Sequence, residues 1–505
     1  REYVVTDAIG KYYVDILDRY LETPNNPHEG VGVWVSGFFG SGKSSFAKML
    51  GLALEDEPLD GESPAEMFGQ RTDNQKLQVL LRNITENIPT HAVIFDVSSE
   101  RGIRSGNQTI YEIMYRMFLQ SLGYARDLDL AELEITLEEE GRLQEFKDTY
   151  NDLFDKDWDR EKGKIAFAIG EASRVMHELE PKKWETPDSW STSAQDRADI
   201  TAGHLAERCM ELMERHKPDH TLLFVIDEVG QFVSRSVQKM LDLQGVVQSL
   251  GRVGQGKMWL VVTSQEKLTE LVGGLDDKRV ELARLMDRFP RELQVHLEPS
   301  DISEVTSKRV LSKNAEAQQT LRDVFSQHRG RLAKNTQMSA DIRLPELNAE
   351  SFIDLYPLLP YQVDLMISVV SGLRTQGGAS KHVGGANRTI IKHAQQLLIH
   401  PDVNLADKPV GTLARLDQMY DLVSGNIQSE IRGKIDSIRN RADHEMAQAV
   451  AKAICLLQYV KSVHRTAENV AAALHPSVDA DSVLPQVKEA LKELEDRNLI
   501  RYGDE

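Results

Sequence analysis

Cysteine is almost missing from this sequence: Cys209 and Cys455 are the only two in 505 residues. Two thiols supply neither a disulfide framework nor a cysteine-based zinc site, and the setting expected from them is a reducing cytoplasm. Long apolar runs are missing too. None approaches the roughly 20 residues needed to span a bilayer, so no membrane segment is expected. Basic excess is absent: 60 Lys and Arg stand against 79 Asp and Glu, a net charge of -19. That balance disfavours tight nonspecific binding of nucleic acid over the whole surface and leaves a local basic patch open. The 14 histidines are scattered without metal spacing, so no zinc site is expected. The first residue is Arg1 rather than Met, which suggests a fragment or a processed chain, and the residues after it lack a secretory-signal pattern.

What is present is an alternation of short apolar runs and helical stretches. Val31 to Ser36, Ala92 to Val97, Leu222 to Ile226, Trp259 to Val262 and Leu293 to Leu297 read as five buried strands between helices. That order predicts an α/β fold, a three-layer domain on a parallel sheet. The expected organisation is a nucleotide-binding core over 1–100 and 221–300, a helical insertion over 101–220, a helical lid over 301–440 and a winged-helix-like domain over 441–505. Within the insertion, Pro181 to Ser193 reads as irregular, and the acidic run Glu132 to Glu140 as a solvated helix face rather than the alternative, an attraction for a basic partner.

The strongest motif follows the first strand. Gly37 to Ser44 reads GFFGSGKS (Gly37, Phe38, Phe39, Gly40, Ser41, Gly42, Lys43, Ser44), and Ser45 continues into a helix. Glycines let the backbone turn its amides toward the β- and γ-phosphates of ATP, where the helix N-terminus adds positive potential. Lys43 is expected along those phosphates and the Ser44 hydroxyl on Mg²⁺. Phe38 and Phe39 are expected to shape the loop rather than stack a base. The third strand ends in Asp227 and Glu228. Asp227 suits a water-mediated hold on Mg²⁺, and Glu228 the activation of an attacking water. The fourth ends in Thr263, Ser264 and Gln265, one of which can position that water or simply end the strand. Arg288, with Arg291 as substitute, can act as a finger on a neighbouring subunit's γ-phosphate or merely complement a helix end.

Loop, acidic strand, polar-ended strand, arginine and helical tail together resemble an AAA+ or related additional-strand ATPase. The resemblance implies a lid contact to the γ-phosphate from Arg388, in Gly385-Ala386-Asn387-Arg388, although Asn387 stands where such proteins usually carry an acid. A closer resemblance rests on GVWVS running into GFFGSGKSSFAKML, then FVIDEVGQFV from Phe224, VVTSQEKL from Val261 and DRFPRELQVHLEPSDISEV from Asp287. These stretches resemble the large P-loop ATPases of BREX phage-defence systems (the BrxC or PglY group). The resemblance implies an ATP- and Mg²⁺-dependent ATPase forming the N-terminal part of a longer protein. It also implies a homo-oligomer working with other BREX proteins, including the methyltransferase, in DNA modification and phage exclusion. The alternative is a nucleotide-dependent assembly switch or scaffold with slow turnover.

The tail reads as three helices, Ala447 to Tyr459, Thr466 to Leu474 and Ser482 to Arg497, then a strand over Asn498 to Tyr502. The third helix carries Glu489, Glu493, Glu495 and Asp496 beside Lys488 and Lys492, which suits packing or a protein partner better than phosphates. Any DNA contact is therefore expected through the assembly.

Overall fold

The computed structural model describes residues 3–37, 41–99, 108–194, 200–234, 236–273, 285–376, 386–501 and 503; at 166, 194, 272–273, 299–301, 374–376 and 386–389 it describes the backbone alone. The chain divides into two compact units. One comprises Gly10–Ser36 and Lys43–His296; the other comprises Arg1–Ile9, Gly37–Gly42 and Leu297–Glu505.

The first unit is built on five strands: β1 (Gly32–Gly37), β2 (Thr90–Asp96), β3 (Thr221–Asp227), β4 (Met258–Ser264) and β5 (Gln294–Leu297). They form one parallel sheet in the order β2-β3-β4-β1-β5. Every residue of β3 and β4 is buried, as expected where helices cover both faces of a parallel sheet. β4 lies between β1 and β3 and is in register with both, Val33 opposite Val261 and Val225 opposite Val261.

On one face lies α2 (Lys43–Glu55), the helix that follows the Gly-rich loop. A Cβ on Gly51 would lie 2.9 Å from Ile94 Cδ1 and 3.0 Å from Val225 Cγ2, so only hydrogen fits between helix and sheet. Helix α1 (Asp7–Glu22) stacks Tyr13 on Phe46 of α2, with ring centroids 4.1 Å apart. Its Tyr20 hydroxyl meets Thr90 Oγ1 at 2.8 Å.

The segment expected as one insertion, 101–220, divides by packing. Helix α5 (Ile110–Ser121) covers the second face of the sheet, Phe118 lying 6.3 Å from Phe224 between ring centroids. Helix α11 (Ala202–His216) packs on α5 and on α13 (Val237–Gly254). The sheet needs these helices because β2 and β3 would otherwise expose an apolar face. Between them a separate core gathers Leu130, Leu137, Phe146, Tyr150, Trp158 and Trp190. It is formed by α6 (Leu128–Glu139), α7 (Leu143–Phe154), α8 (Trp158–Glu161), α9 (Ile165–Leu179) and α10 (Ser189–Ala194). The stretch expected to be irregular thus ends in a short helix that buries Trp190. Nor is the acidic run a uniformly solvated face. Glu134 is 1% exposed and accepts hydrogen bonds from Ala125 N at 2.6 Å, Trp158 Nε1 at 2.7 Å and Lys162 Nζ at 3.0 Å.

In the second unit one apolar cluster runs from Ile302 to Leu494, so no core boundary falls at residue 440. Three tail helices are present, Ala447–Leu457, Ala467–Ala473 and Leu484–Asp496. Of the strand expected at Asn498 to Tyr502, Tyr502 lies outside the described residues; 498–501 are turn and coil, and the amides of Leu499 and Ile500 donate to Leu494 O. The backbone turns left-handed at Asn498 (φ 55°) and folds back on the helix, satisfying those amides locally instead of in a ladder. Among the described residues no single helix is long and apolar enough to cross a membrane. The bent pair Ala349–Leu355 and Pro360–Leu373 approaches the requirement by length and composition, but buries Phe352, Val363 and Val369 in this unit's cores.

Lys162→Met would leave Glu134 charged, buried and short of its cation. A loss of about 3 kcal/mol or more is expected, measured by urea unfolding followed through tryptophan fluorescence. Glu134→Gln in the same background should restore part of it.

Candidate functional site

The carboxyl ends of β1, β3 and β4 bring the motif residues together. At the end of β1 the chain turns at Gly37 (φ 153°) and Gly42 (φ 97°), a conformation that side chains disfavour. A Cβ on Gly37 would come within 2.5 Å of Ser41 Oγ and 2.9 Å of Leu297 O. Ser41 Oγ itself is buried with no hydrogen-bond partner among the described residues. Phe38, Phe39 and Gly40 lie outside the described residues. Lys43 opens α2, Ser44 follows within its first turn, and Ser45 is exposed beside them.

Asp227, 8% exposed at the end of β3, is the meeting point. Its Oδ1 accepts the Ser44 hydroxyl at 2.9 Å and the Thr263 hydroxyl at 2.5 Å. Thr263 Oγ1 in turn accepts the Glu228 amide at 2.9 Å. One threonine therefore holds both acids. Glu228 sits at φ 61°, a left-handed conformation that costs a non-glycine residue on the order of 1 kcal/mol. The turn is enforced from below. A Cβ on Gly230, at the start of α12 (Val229–Val233), would lie 2.1 Å from Ser264 Oγ and 2.8 Å from Ser264 Cα.

The electrostatics follow from this crowding. Burial pushes the Lys43 ammonium down to about 8, against the opposing pull of Asp227 and Glu228. Burial, then the charges of Asp96 and Asp227, hold the Glu228 carboxyl above its ordinary range, while Ser98 and Lys43 pull it down. Asp96 was not singled out from sequence. It ends β2 directly opposite Asp227, and its Oδ1 accepts Ser98 N at 2.8 Å and Ser98 Oγ at 2.7 Å. The signal was there, an acid closing an apolar strand as in β3, but no neighbouring motif called attention to it.

Arg288 does not join this cluster. It lies beside the opposite end of β1, where its carbonyl would be 2.8 Å from a Cβ on Gly32. The six strand residues from Gly32 to Gly37 span about 17 Å. Its guanidinium pairs with Glu29. Arg291 is exposed in the 3-10 turn Arg291–Leu293. Arg388 falls on the helix Ala386–Ile399, where the backbone alone is described.

Chemically, the site offers an ammonium and a helix N-terminus to an anion, and a hydroxyl–carboxylate pair to a hard cation. Glu228 adds a carboxylate of raised proton affinity. Among the described residues no group of three or more His, Cys, Asp or Glu is arranged to hold a metal alone. A cation here would need ligands from its substrate as well. No protein-family model matches the chain.

Lys43 is mostly charged at pH 7 and mostly neutral at pH 9 if its pKa is about 8. Affinity for a polyphosphate should therefore fall about tenfold over that interval, as the ammonium fraction falls. Calorimetric titration with pyrophosphate measures it, and Lys43→Arg should flatten the dependence.

Proposed function

We propose that the chain binds and hydrolyses ATP with Mg²⁺ as an AAA+-type ATPase. The observation that carries this reading is the shared acceptor Asp227 Oδ1, which ties the hydroxyl after Lys43 to the strand that presents Glu228. The strand order supports it, since β4 lies between the loop-bearing and acid-bearing strands, where an additional-strand ATPase has its extra strand. The donor set suits Mg²⁺: the Ser44 hydroxyl and the Asp227 carboxylate would hold it, with phosphate oxygens and water as its other ligands. Mg²⁺ held there would supply positive charge against the phosphates.

In this reading Lys43 and the first amides of α2 bind the β- and γ-phosphates. Glu228 orients a water and takes its proton as the water oxygen bonds to the γ-phosphorus and the bridging oxygen leaves with ADP. Thr263 is a positioning residue that fixes Asp227 and the Glu228 backbone together. Glu228→Gln should keep ATP binding and lower turnover by about 10²–10⁴-fold, whereas Lys43→Ala should abolish binding. Phosphate release and equilibrium binding, measured on both variants, separate the two effects. Unchanged turnover in Glu228→Gln would refute the assignment.

The motif resemblance extends the proposal to a multi-protein BREX complex in the cytoplasm, with the methyltransferase among its partners and DNA reached through the assembly. A host carrying the system with Lys43→Ala should lose phage exclusion. The alternative, an assembly switch with slow turnover, is favoured by the Arg288–Glu29 pair, which occupies the arginine within its own chain. Specific activity that climbs steeply with protein concentration, and loses that climb in Arg288→Ala, supports the oligomeric machine. Activity indifferent to concentration and to Arg288 supports the switch.

A further inference from the structure

The helical insertion carries a groove of about 450 Å³ that the ATPase reading does not use. Its apolar lining comes from Leu133 and Leu137 of α6, Met176 of α9 and Trp190 of α10. Around this lining stand four carboxylates, Asp129, Glu132, Glu140 and Glu180, against one ammonium, Lys183. Glu132 meets Arg208, and Glu140 and Glu180 Oε1 both meet Arg142, so these acids are held in place with part of their charge offset by the two guanidinium groups.

Lys183 shows what the groove accepts. Its ammonium lies 5.4 Å from the Trp184 ring centroid and 3.2 Å from Glu180 Oε2, a cation between an aromatic face and a carboxylate. Trp184 Nε1 is buried without a hydrogen-bond partner among the described residues. A buried acceptor or donor left unpaired costs about 1–3 kcal/mol. The side chain of Lys183 is itself 62% exposed, so little holds it there. The rest of this small site is rigid: His177 Nδ1 meets Trp184 O at 2.5 Å, and the Trp184 amide donates to Glu180 O at 2.9 Å.

We infer that this groove docks a basic polypeptide segment of a partner protein. An arginine or lysine of that segment replaces Lys183 between Glu180 and Trp184, and a neighbouring apolar residue rests on Leu137 and Trp190. Charge complementarity selects the occupant: a ring of carboxylates repels nucleic acid and acidic peptides, and two tryptophans favour a cation with an apolar neighbour. The inference is independent of nucleotide binding.

The test uses the full chain and a capped heptapeptide alternating arginine and leucine, with glutamate–leucine and arginine–glycine versions as controls. Binding is followed by calorimetry at 0.15 M salt. The arginine–leucine peptide should bind and both controls should fail. Lys183→Ala should tighten binding about two- to fivefold, because it removes the internal competitor. Trp184→Ala should weaken it about tenfold, with Trp184→Phe recovering part. Glu180→Gln should weaken it, and Lys43→Ala should change nothing. Weaker or unchanged binding in Lys183→Ala overturns the proposal, as does equal binding of the arginine–glycine peptide. Should Trp184→Ala unfold the insertion, the exposed Lys183 still decides the matter.

Discussion

One carboxylate oxygen organises the candidate site of this molecule. Asp227 Oδ1 accepts a hydroxyl from Ser44 and another from Thr263, and so joins the helix after the Gly-rich loop to two strands of the sheet. A nearly buried carboxylate is costly unless its lone pairs are satisfied, so the three elements must close on it together. Two close approaches permit this. Gly51 lets α2 lie against Ile94 and Val225, and Gly230 lets the turn after β3 pass over Ser264. Glu228 is held in its left-handed conformation as a consequence, its amide bound to the threonine that binds Asp227.

Around that junction the chain solves its packing in separate pieces. The sheet is covered by α2 on one face and by α5 on the other. The insertion has its own core, centred on a buried glutamate with three hydrogen-bond donors. Such a glutamate specifies one arrangement of α6 against α8, since any slip would strand a charge. The insertion also carries a groove in which Glu132 and Glu180 are braced by arginines and Lys183 lies over the Trp184 ring. The second unit uses a continuous apolar cluster where two domains had been expected.

Much of this was legible beforehand because its causes are local. Five short apolar runs became five strands, each boundary shifting by only a residue or two, since burial on both faces demands unbroken apolar sequence. Lys43, Ser44, Asp227, Glu228 and Thr263 were singled out from sequence, and the fold gathers them at one edge of the sheet. Asp96 was passed over because its meaning depends on pairing opposite Asp227. The helices α5 and α11 were assigned to the insertion because nothing in their own periodicity says which surface they cover. A strand was expected at Asn498 to Tyr502, whereas the amides of Leu499 and Ile500 found a helix carbonyl instead.

By itself, then, the sequence determined the α/β class, the positions of the strands and the residue types at the candidate site. Hydrophobic period and glycine placement are properties of neighbours in the chain. Tertiary structure alone decided that β4 stands between β1 and β3, that a single threonine holds both acids, and that Arg288 turns to Glu29 at the far end of β1. Those outcomes depend on which distant groups share a buried volume, where one unpaired charge outweighs many local preferences.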